Sequence, residues 1–237
     1  MIIACWSGPR NISTAIMRSW SSREDAYVTD EPLYSYYLKK TGVNHPMCKE
    51  IINKYPSEFK NVVDHIIGSI PNGKTIWYQK HMAHHILDIN NIEFILSFEN
   101  TFLIRDPKYV IESYKRKNRL NNHKELGYYQ QIELIKFLES NNKKYTVIDA
   151  SRLLKNPKKI LMKWCKEINI DFDESMLKWE RGIYPTDGIW AKHWYDNVIN
   201  SISFINERDY HQNDNIINDK LYKTCKNYYD MMLDSAL

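Results

Sequence analysis

The sequence predicts an α/β fold of three layers, in which helices cover both faces of a central, mainly parallel sheet. The first observation behind this prediction is that short apolar segments alternate along the chain with segments of helical periodicity. The second is that polar residues and turn residues follow directly on the apolar segments, as they do where strands end. The length of 237 residues suits one such domain, and we expect it to span 1–237 with a C-terminal helical segment at about 214–237.

Each element is predicted from its own pattern. Strands are expected at 2–6, 26–29, 74–80, 101–104 and 144–148, and helices at 13–22, 33–40, 48–54, 58–70, 107–119, 127–140 and 157–168. Asp106 and Pro107 are typical of a helix start, where Asp caps the first turn and Pro is the first helical residue. Since parallel strands end at one edge of a sheet, we expect the residues that follow them to meet there and to form a binding site.

Composition limits the classes of function. Basic residues number 33 and acidic residues 29, and the net charge of +4 is too small to argue for a nucleic-acid partner. The four cysteines are scattered without the spacing of a disulfide framework or a zinc site, and no apolar run approaches membrane-spanning length. We therefore expect a soluble, cytoplasmic protein that binds neither nucleic acid nor membranes. The sequence leaves both a monomer and a homodimer open.

The first predicted strand leads into a loop that is suited to an oxyanion. The loop consists of Gly8, Pro9, Arg10, Asn11, Ile12, Ser13 and Thr14. A helix N-terminus presents unpaired N–H groups and the positive end of the helix dipole, to which Arg10 adds a charge and Ser13 and Thr14 add hydroxyl donors. The loop lacks the Gly-Lys-Ser/Thr ending of a Walker A sequence, which disfavours magnesium-ATP. The alternative is an ordinary turn capped by Asn11 or Ser13.

A second candidate element follows the fourth predicted strand. Arg105 stands at the strand end, and Ser113 stands eight residues later on the following helix, where it could face back toward the strand. The planar fork of an arginine binds phosphate oxygens in pairs, so this element is suited to a second phosphate. The alternative is a capped surface helix with a solvated basic face.

Together the two elements resemble those of sulfotransferases that use 3′-phosphoadenosine 5′-phosphosulfate. The loop at 8–14 looks like their 5′-phosphosulfate loop, and Arg105 to Ser113 is similar to their 3′-phosphate element. Asp30-Glu31-Pro32 resembles a Glu-Pro element of many bacterial and carbohydrate-type members. The segments Ser-Gly-Pro-Arg-Asn, Trp-Tyr-Gln-Lys-His-Met and Asp-Gly-x-Trp match short bacterial sulfotransferase-like proteins best, and the resemblance covers roughly residues 1–205.

The resemblance implies a P-loop NTPase-like fold and a small-molecule acceptor. It also implies 3′-phosphoadenosine 5′-phosphosulfate as the donor, adenosine 3′,5′-bisphosphate as the product, and no metal. One residue departs from the pattern, because many members have glycine where Ile12 stands. A β-branched residue rarely adopts the positive φ angles that glycine allows, so the sequence predicts a different path for the loop at this point.

Two residues are candidates for the base that takes the proton of the acceptor. Glu31 follows a predicted strand and matches the Glu-Pro element, and the alternative is that it is a helix-terminus or salt-bridge residue. His81 follows the strand predicted to end at Lys80, and this pair resembles the Lys-x-His strand end of cytosolic sulfotransferases. Imidazole has a suitable pKa for a base, and Lys80 is expected to stabilise charge on the bridging oxygen as the sulfate leaves. Glu31 is slightly favoured over His81.

The segment at 186–195 looks like a variant of the C-terminal loop that covers the nucleotide in the family. Lys192 is expected to contact the 3′-phosphate, and Trp190 or Trp194 to stack on adenine or to shape the acceptor pocket. The alternative is that these aromatic side chains anchor the segment on the core.

The predicted function is transfer of a sulfuryl group from 3′-phosphoadenosine 5′-phosphosulfate to a hydroxyl or amine of a small molecule. Two alternatives stay open at this point. One is a non-catalytic nucleotide-binding module. The other is a P-loop-type nucleotide phosphotransferase, which would require magnesium-dependent ATP binding.

Overall fold

A single parallel sheet organises the part of the chain that the computed structural model describes, namely residues 1–116, 119–120, 122–205 and 219–237. Its strands are β1 (Ile2–Ser7), β2 (Ala26–Asp30), β3 (Ile76–Met82), β4 (Glu99–Ile104) and β5 (Tyr145–Asp149). They lie in the order β2-β3-β1-β4-β5, and every neighbouring pair is parallel. The predicted α/β class with a central parallel sheet is therefore confirmed.

Helices cover both faces of this sheet. They are α1 (Ser13–Ser21), α2 (Tyr34–Thr41), α3 (Cys48–Lys54), α4 (Phe59–Ile66), α5 (Pro107–Lys115), α6 (Tyr128–Ser140), α7 (Ala150–Lys155), α8 (Pro157–Glu167), α9 (Ala191–Trp194), α10 (Asp196–Ile199) and α11 (Lys220–Leu233). Apolar residues of α1, α7 and α8 form a core on one face, and those of α5, α6 and α11 form a core on the other. Within the described ranges, no helix is both long enough and apolar enough to span a bilayer.

The helix predictions agree with the structure in most places. Asp106 caps α5 through a hydrogen bond from the Lys108 amide (2.8 Å), and Pro107 is the first helical residue, as predicted. The helix α7 was not predicted, because its six residues are too few to reveal a helical period. The residues 117–118 of the predicted fifth helix and 214–218 of the predicted C-terminal segment lie outside the described residues.

The central position of β1 explains where a site can form. The sheet extends from β1 to β3 and β2 on one side and to β4 and β5 on the other. The loops that leave the carboxyl ends of these strands therefore diverge at β1, and such a switch point opens a crevice for ligands. The predicted oxyanion loop leaves β1 at this crevice.

The prediction that the third strand ends at Lys80 is wrong, because β3 continues to Met82. Because β1 extends to Ser7, Trp6 pairs with His81 and Ser7 pairs with Met82. The strand β3 therefore continues for two residues beyond Lys80. Successive side chains of a strand point to opposite faces. Lys80 and His81, which were expected to stand together at a strand end, therefore face opposite sides of the sheet.

Candidate active site

The loop after β1 lies in close contact with two other parts of the chain. A Cβ atom on Gly8 would lie 2.1 Å from the carbonyl oxygen of Leu126, so only glycine fits at this position. The buried side chain of Asn11 donates from Nδ2 to the carbonyl of Leu103 on β4 (3.2 Å). Asn11 therefore ties the loop to the sheet and does not cap α1, whose first turn has no side-chain cap.

Two residues of the loop adopt left-handed backbone conformations. Arg10 has φ 65° and Ile12 has φ 59°, and the carbonyl of Ile12 accepts the first helical hydrogen bond of α1, from Ile16. The prediction that Ile12 would avoid positive φ is wrong. Its half-buried side chain packs against the core beneath α1, and this burial offsets a backbone cost of about 1–2 kcal/mol. Strain of this kind is common where a loop is held for binding.

Substitutions at Ile12 test whether this conformation is required. We expect Ile12→Gly to change the free energy of unfolding by no more than about 1 kcal/mol, because relief of backbone strain offsets lost packing. Ile12→Pro fixes φ near −65° and should weaken binding of adenosine 3′,5′-bisphosphate at least about tenfold. Urea unfolding and titration calorimetry measure both effects. If Ile12→Gly and Ile12→Pro weakened bisphosphate binding equally, the left-handed conformation of residue 12 would not be what binding requires.

The two predicted phosphate elements meet in space. The guanidinium of Arg10 donates from Nε to Oγ of Ser113 (2.8 Å), a contact across 103 residues of sequence. Arg105 donates from Nη1 to the carbonyl of Arg10 (3.0 Å), and its own carbonyl accepts a hydrogen bond from the Tyr128 hydroxyl (2.6 Å). Two guanidinium groups and a serine hydroxyl thus lie beside the N-terminus of α1, whose first residues Ser13 and Thr14 are buried. This arrangement is suited to anionic oxygens.

A buried cluster of charged side chains lies on the other side of β1. Lys80 of β3 donates from Nζ to Asp30 Oδ1 (2.9 Å), to Glu31 Oε1 (2.5 Å) and to the hydroxyl of Tyr195 (2.6 Å). The Tyr195 hydroxyl donates to the carboxylate of Asp30, 2.8 Å from both oxygens, and accepts from Nε1 of Trp190 (3.1 Å). We call Asp30, Glu31, Lys80 and Tyr195 the carboxylate cluster.

Glu31 is the member of this cluster that keeps contact with solvent. Its side chain is 11 % exposed, whereas those of Asp30 and Lys80 are 1 % exposed. Its backbone has φ 41°, and its amide donates to the carbonyl of Lys80 (2.9 Å), which continues the ladder of β3. Burial raises the pKa of the Glu31 carboxyl, Lys80 acts against this shift, and the negative charge of Asp30 adds to it. A partly accessible carboxyl with increased proton affinity is suited to act as a base.

His81 lies in the core on the opposite face. Its ring stacks on Trp6 with the centroids 4.3 Å apart, and Nε2 lies 3.1 Å from Oε1 of Gln79. Burial lowers the pKa of His81 to about 3. The structure therefore brings Glu31 and Lys80 together and separates His81 from both.

The burial of His81 has a measurable consequence for stability. In the folded protein the His81 ring stays neutral down to about pH 3, whereas in the unfolded chain it takes up a proton near pH 6.5. The stabilising contribution is thus present above pH 6.5 and is lost as the pH falls toward 3, by at most about 1.4 kcal/mol per pH unit. We expect His81→Gln to reduce the slope of the unfolding free energy near pH 5 by up to about 1.4 kcal/mol per pH unit in urea unfolding, while the slope from the other buried histidines remains. The same substitution at the exposed His193 is the control, and an unchanged slope in His81→Gln would contradict the assignment.

Aromatic rings line the segment beyond Glu31. The ring of His85 stacks on Tyr34 (5.1 Å) and on Tyr37 (4.6 Å), and His84 packs edge-on against Tyr37 (5.3 Å). Burial lowers the pKa of His84 to about 3 and holds that of His85 well below its usual range, so both rings are neutral at pH 7. In the described ranges no group of three or more His, Cys, Asp or Glu side chains is placed to hold a metal ion.

The segment at 186–195 packs over the carboxylate cluster. Trp190 is buried against Tyr34 and Tyr55, with ring centroids 5.0 and 5.3 Å away, so it anchors the segment on the core. Lys192 is exposed on α9, in this same segment. Its expected contact with a 3′-phosphate stays a prediction.

Sequence reasoning missed Asp30 and Tyr195. Asp30 directly precedes Glu31 at the strand end, so its position was a usable signal. Tyr195 is 165 residues away from Asp30, and nothing in the local sequence pattern indicates that contact.

Comparisons with known proteins give the family. A family model described as a sulfotransferase domain matches residues 1–236. Two Arabidopsis thaliana proteins named branched-chain-amino-acid aminotransferase-like proteins 2 and 1 are 32% and 34% identical over 231 and 210 residues. These matches cover 98% and 88% of this chain but only 41% and 37% of the relatives, so the chain spans about two fifths of their length.

Solved structures agree on the fold. The sulfotransferase domain of the olefin synthase from Synechococcus PCC 7002 has a TM-score of 0.54 at 17% identity, covering 94% of this chain and 93% of that one. The sulfotransferase domain from the curacin biosynthetic pathway has a TM-score of 0.51 at 16% identity, covering 100% and 91%. At these identities the likeness supports the P-loop-like fold alone.

Proposed function

The chain belongs to the sulfotransferase domain family, and we propose that it transfers a sulfuryl group from 3′-phosphoadenosine 5′-phosphosulfate to a hydroxyl or amine of a small molecule. Membership of the family confirms the predicted resemblance and the enzyme class that it implies. The donor and the acceptor are our proposal. The observation that carries it is the contact of Arg10 with Ser113, which joins two separate anion-binding elements at the switch point of the sheet.

The residues present fit a nucleotide with two separate phosphates. We assign the 5′-phosphosulfate to the loop, where Arg10, Ser13, Thr14 and the amides of the first turn of α1 supply donors. We assign the 3′-phosphate to Arg105 and Ser113 at the start of α5. Guanidinium groups and hydroxyls bind such oxygens with charge-assisted hydrogen bonds and need no metal between them.

The carboxylate cluster supplies the proton acceptor. The donor provides an electrophilic sulfuryl group with a phosphate as leaving group. As the acceptor oxygen or nitrogen bonds to sulfur and the bond to the leaving oxygen breaks, Glu31 takes the proton of the acceptor. Lys80 holds the Glu31 carboxylate and stabilises its charge, and Arg10 and the α1 amides stabilise the charge on the leaving phosphate.

Glu31 is a better proton acceptor in this fold than His81. It lies in the same cluster as Lys80 and has solvent contact, whereas His81 is enclosed between Trp6 and Gln79 on the far face. The half-buried ring of Tyr37, backed by the buried rings of Tyr34 and His85, is the surface against which we place the acceptor.

An acceptor screen with a donor labelled in its sulfuryl group tests this function. The expected result is label on at least one hydroxyl or amine compound, with one adenosine 3′,5′-bisphosphate formed per label transferred. A binding module would hold the bisphosphate without transferring label. A phosphotransferase would instead transfer phosphate from magnesium-ATP, and either of these results would contradict the proposal.

A further inference from the structure

A fully buried ion pair connects α1, the helix that follows the loop at 8–14 (the donor loop), to the segment at 186–195 that packs over the carboxylate cluster. Arg18 lies on α1, one and a half turns after Ser13, and its guanidinium binds both oxygens of Asp187 at 2.6 and 2.5 Å. Both side chains are 0% exposed. The same guanidinium donates to the carbonyl of Gly182 (3.3 Å) and stacks over the ring of Tyr184 at 3.9 Å.

The residue after Asp187 contacts the carboxylate cluster directly. The amide of Gly188 donates to Oδ2 of Asp30 (3.1 Å), and Asp30 in turn binds Lys80 and Tyr195. A Cβ atom on Gly188 would lie 2.1 Å from the indole of Trp190, so a side chain at this position would displace that ring. Arg18 and Asp30 are thus joined by two adjacent residues, Asp187 and Gly188.

We propose that Arg18 is a positioning residue, which holds the Asp187-Gly188 segment on α1 so that Asp30, Lys80 and Glu31 stay aligned with the donor loop. This inference rests on the proposed function, in which Glu31 is the base. Ser13, Thr14 and Arg18 belong to one rigid helix, so any ligand held at the start of α1 has a fixed relation to the segment that Arg18 holds.

The chemistry of the pair supports a positioning role over a purely stabilising one. Removing two opposite charges from water is costly, and well-packed apolar side chains often stabilise a core equally well. A bidentate arginine–carboxylate pair adds a fixed orientation, because the planar fork allows only one alignment of the carboxylate. Each named residue of the Asp-Gly-x-Trp motif has its own contact. The carboxylate of Asp187 binds the guanidinium of Arg18, the amide of Gly188 donates to Asp30, and the indole of Trp190 donates to the hydroxyl of Tyr195.

The titration of Glu31 reports on this alignment independently of turnover. The titratable groups that face Glu31 are Asp30 of β2, Lys80 of β3, Tyr195 after α9 and Tyr34 of α2. Loosening of the Gly188 segment admits water to the cluster. Because burial is the main cause that raises the pKa of Glu31, hydration lowers it toward its ordinary value.

The experiment compares Arg18→Lys with Arg23→Lys. Arg23 follows the same helix and binds both oxygens of Asp25 at 2.8 and 2.9 Å, but it lies away from the carboxylate cluster. Lysine keeps the charge and loses the fork, so we expect both variants to melt a few degrees lower, by about 2–4 °C. Only Arg18→Lys should lower the pKa of Glu31, by at least about half a pH unit in carbon-13 NMR of labelled glutamate carboxyls.

Kinetics and binding complete the comparison. In Arg18→Lys we expect kcat to fall at least about tenfold while the Kd for adenosine 3′,5′-bisphosphate stays within about threefold. Gly188→Ala leaves the ion pair of Arg18 with Asp187 intact but displaces the ring of Trp190. It should therefore lower the pKa of Glu31 in the same way, even where Arg18→Lys fails to fold. An unchanged Glu31 titration in every folded variant of Arg18 and Gly188 overturns the proposal. If the wild type transfers no label to any acceptor, the proposed function fails, while the Glu31 titration still decides the positioning role.

Discussion

Replacement of Glu31 by glutamine is expected to reduce kcat at least about a hundredfold and to leave the Kd for adenosine 3′,5′-bisphosphate within about threefold. Glutamine keeps the size of the side chain and a hydrogen-bonding oxygen for Lys80, but it cannot take a proton from the acceptor. The loss should therefore lie in the transfer step and not in donor binding. Steady-state kinetics with the best acceptor, together with titration calorimetry, separate the two effects.

The matched control for this variant is Glu58→Gln. Glu58 also binds a lysine, Lys39, at 2.6 Å, but both side chains of this ion pair are exposed to solvent. We expect it to leave kcat unchanged. Equal kcat values for Glu31→Gln and the wild type would show that another group accepts the proton.

The pH dependence follows from the same assignment. The base must be ionised, so activity should be lost as the pH falls through the pKa of Glu31, which burial raises above its ordinary value of 4.5. In Glu31→Gln this acidic limb should disappear from the residual rate. Its persistence at the same pH would place the titrating group elsewhere.

Arg105→Ala is expected to remove the selectivity for a 3′-phosphate. The Kd for adenosine 3′,5′-bisphosphate should rise at least about tenfold, since one charge-assisted hydrogen bond contributes about 1.5–3 kcal/mol. The Kd for AMP, which lacks the 3′-phosphate, should change less, by about threefold, because Arg105 also supports the carbonyl of Arg10. Titration calorimetry with both nucleotides measures the ratio.

Arg152→Ala serves as the control for this variant. Arg152 lies on α7 beside β5 and donates to the carbonyl of Ala236, so its loss should leave both affinities unchanged. If Arg105→Ala weakens the two nucleotides by the same factor, Arg105 supports the loop and does not read the 3′-phosphate.

Much of the fold follows from local sequence patterns. Buried parallel strands are continuous apolar runs, and their ends are marked by polar residues, so five strands and most helices are predictable within a few residues. The proximity of Arg10, Arg105 and Ser113 is also predictable in outline, because strands β1 and β4 end at the same edge of the sheet.

Other features depend on tertiary contacts that local patterns do not contain. The pairing of β3 with β1 sets the true end of β3, and this in turn sends Lys80 and His81 to opposite faces. Packing against the core keeps Ile12 in a conformation that its own propensity disfavours. The contacts of Tyr195 with Asp30 and of Arg18 with Asp187 join segments that are more than 150 residues apart, beyond the reach of any local pattern.

In the proposed function, the loop after β1 and the Arg105–Ser113 element hold one nucleotide with phosphates at its 3′ and 5′ positions. Titration calorimetry of the wild type with adenosine 3′,5′-bisphosphate and, separately, with AMP tests it most directly. We expect one site per chain and an affinity for the bisphosphate at least about tenfold above that for AMP, from the added contacts of Arg105 and Ser113. Equal affinities for the two nucleotides, or no binding of the bisphosphate, would contradict it.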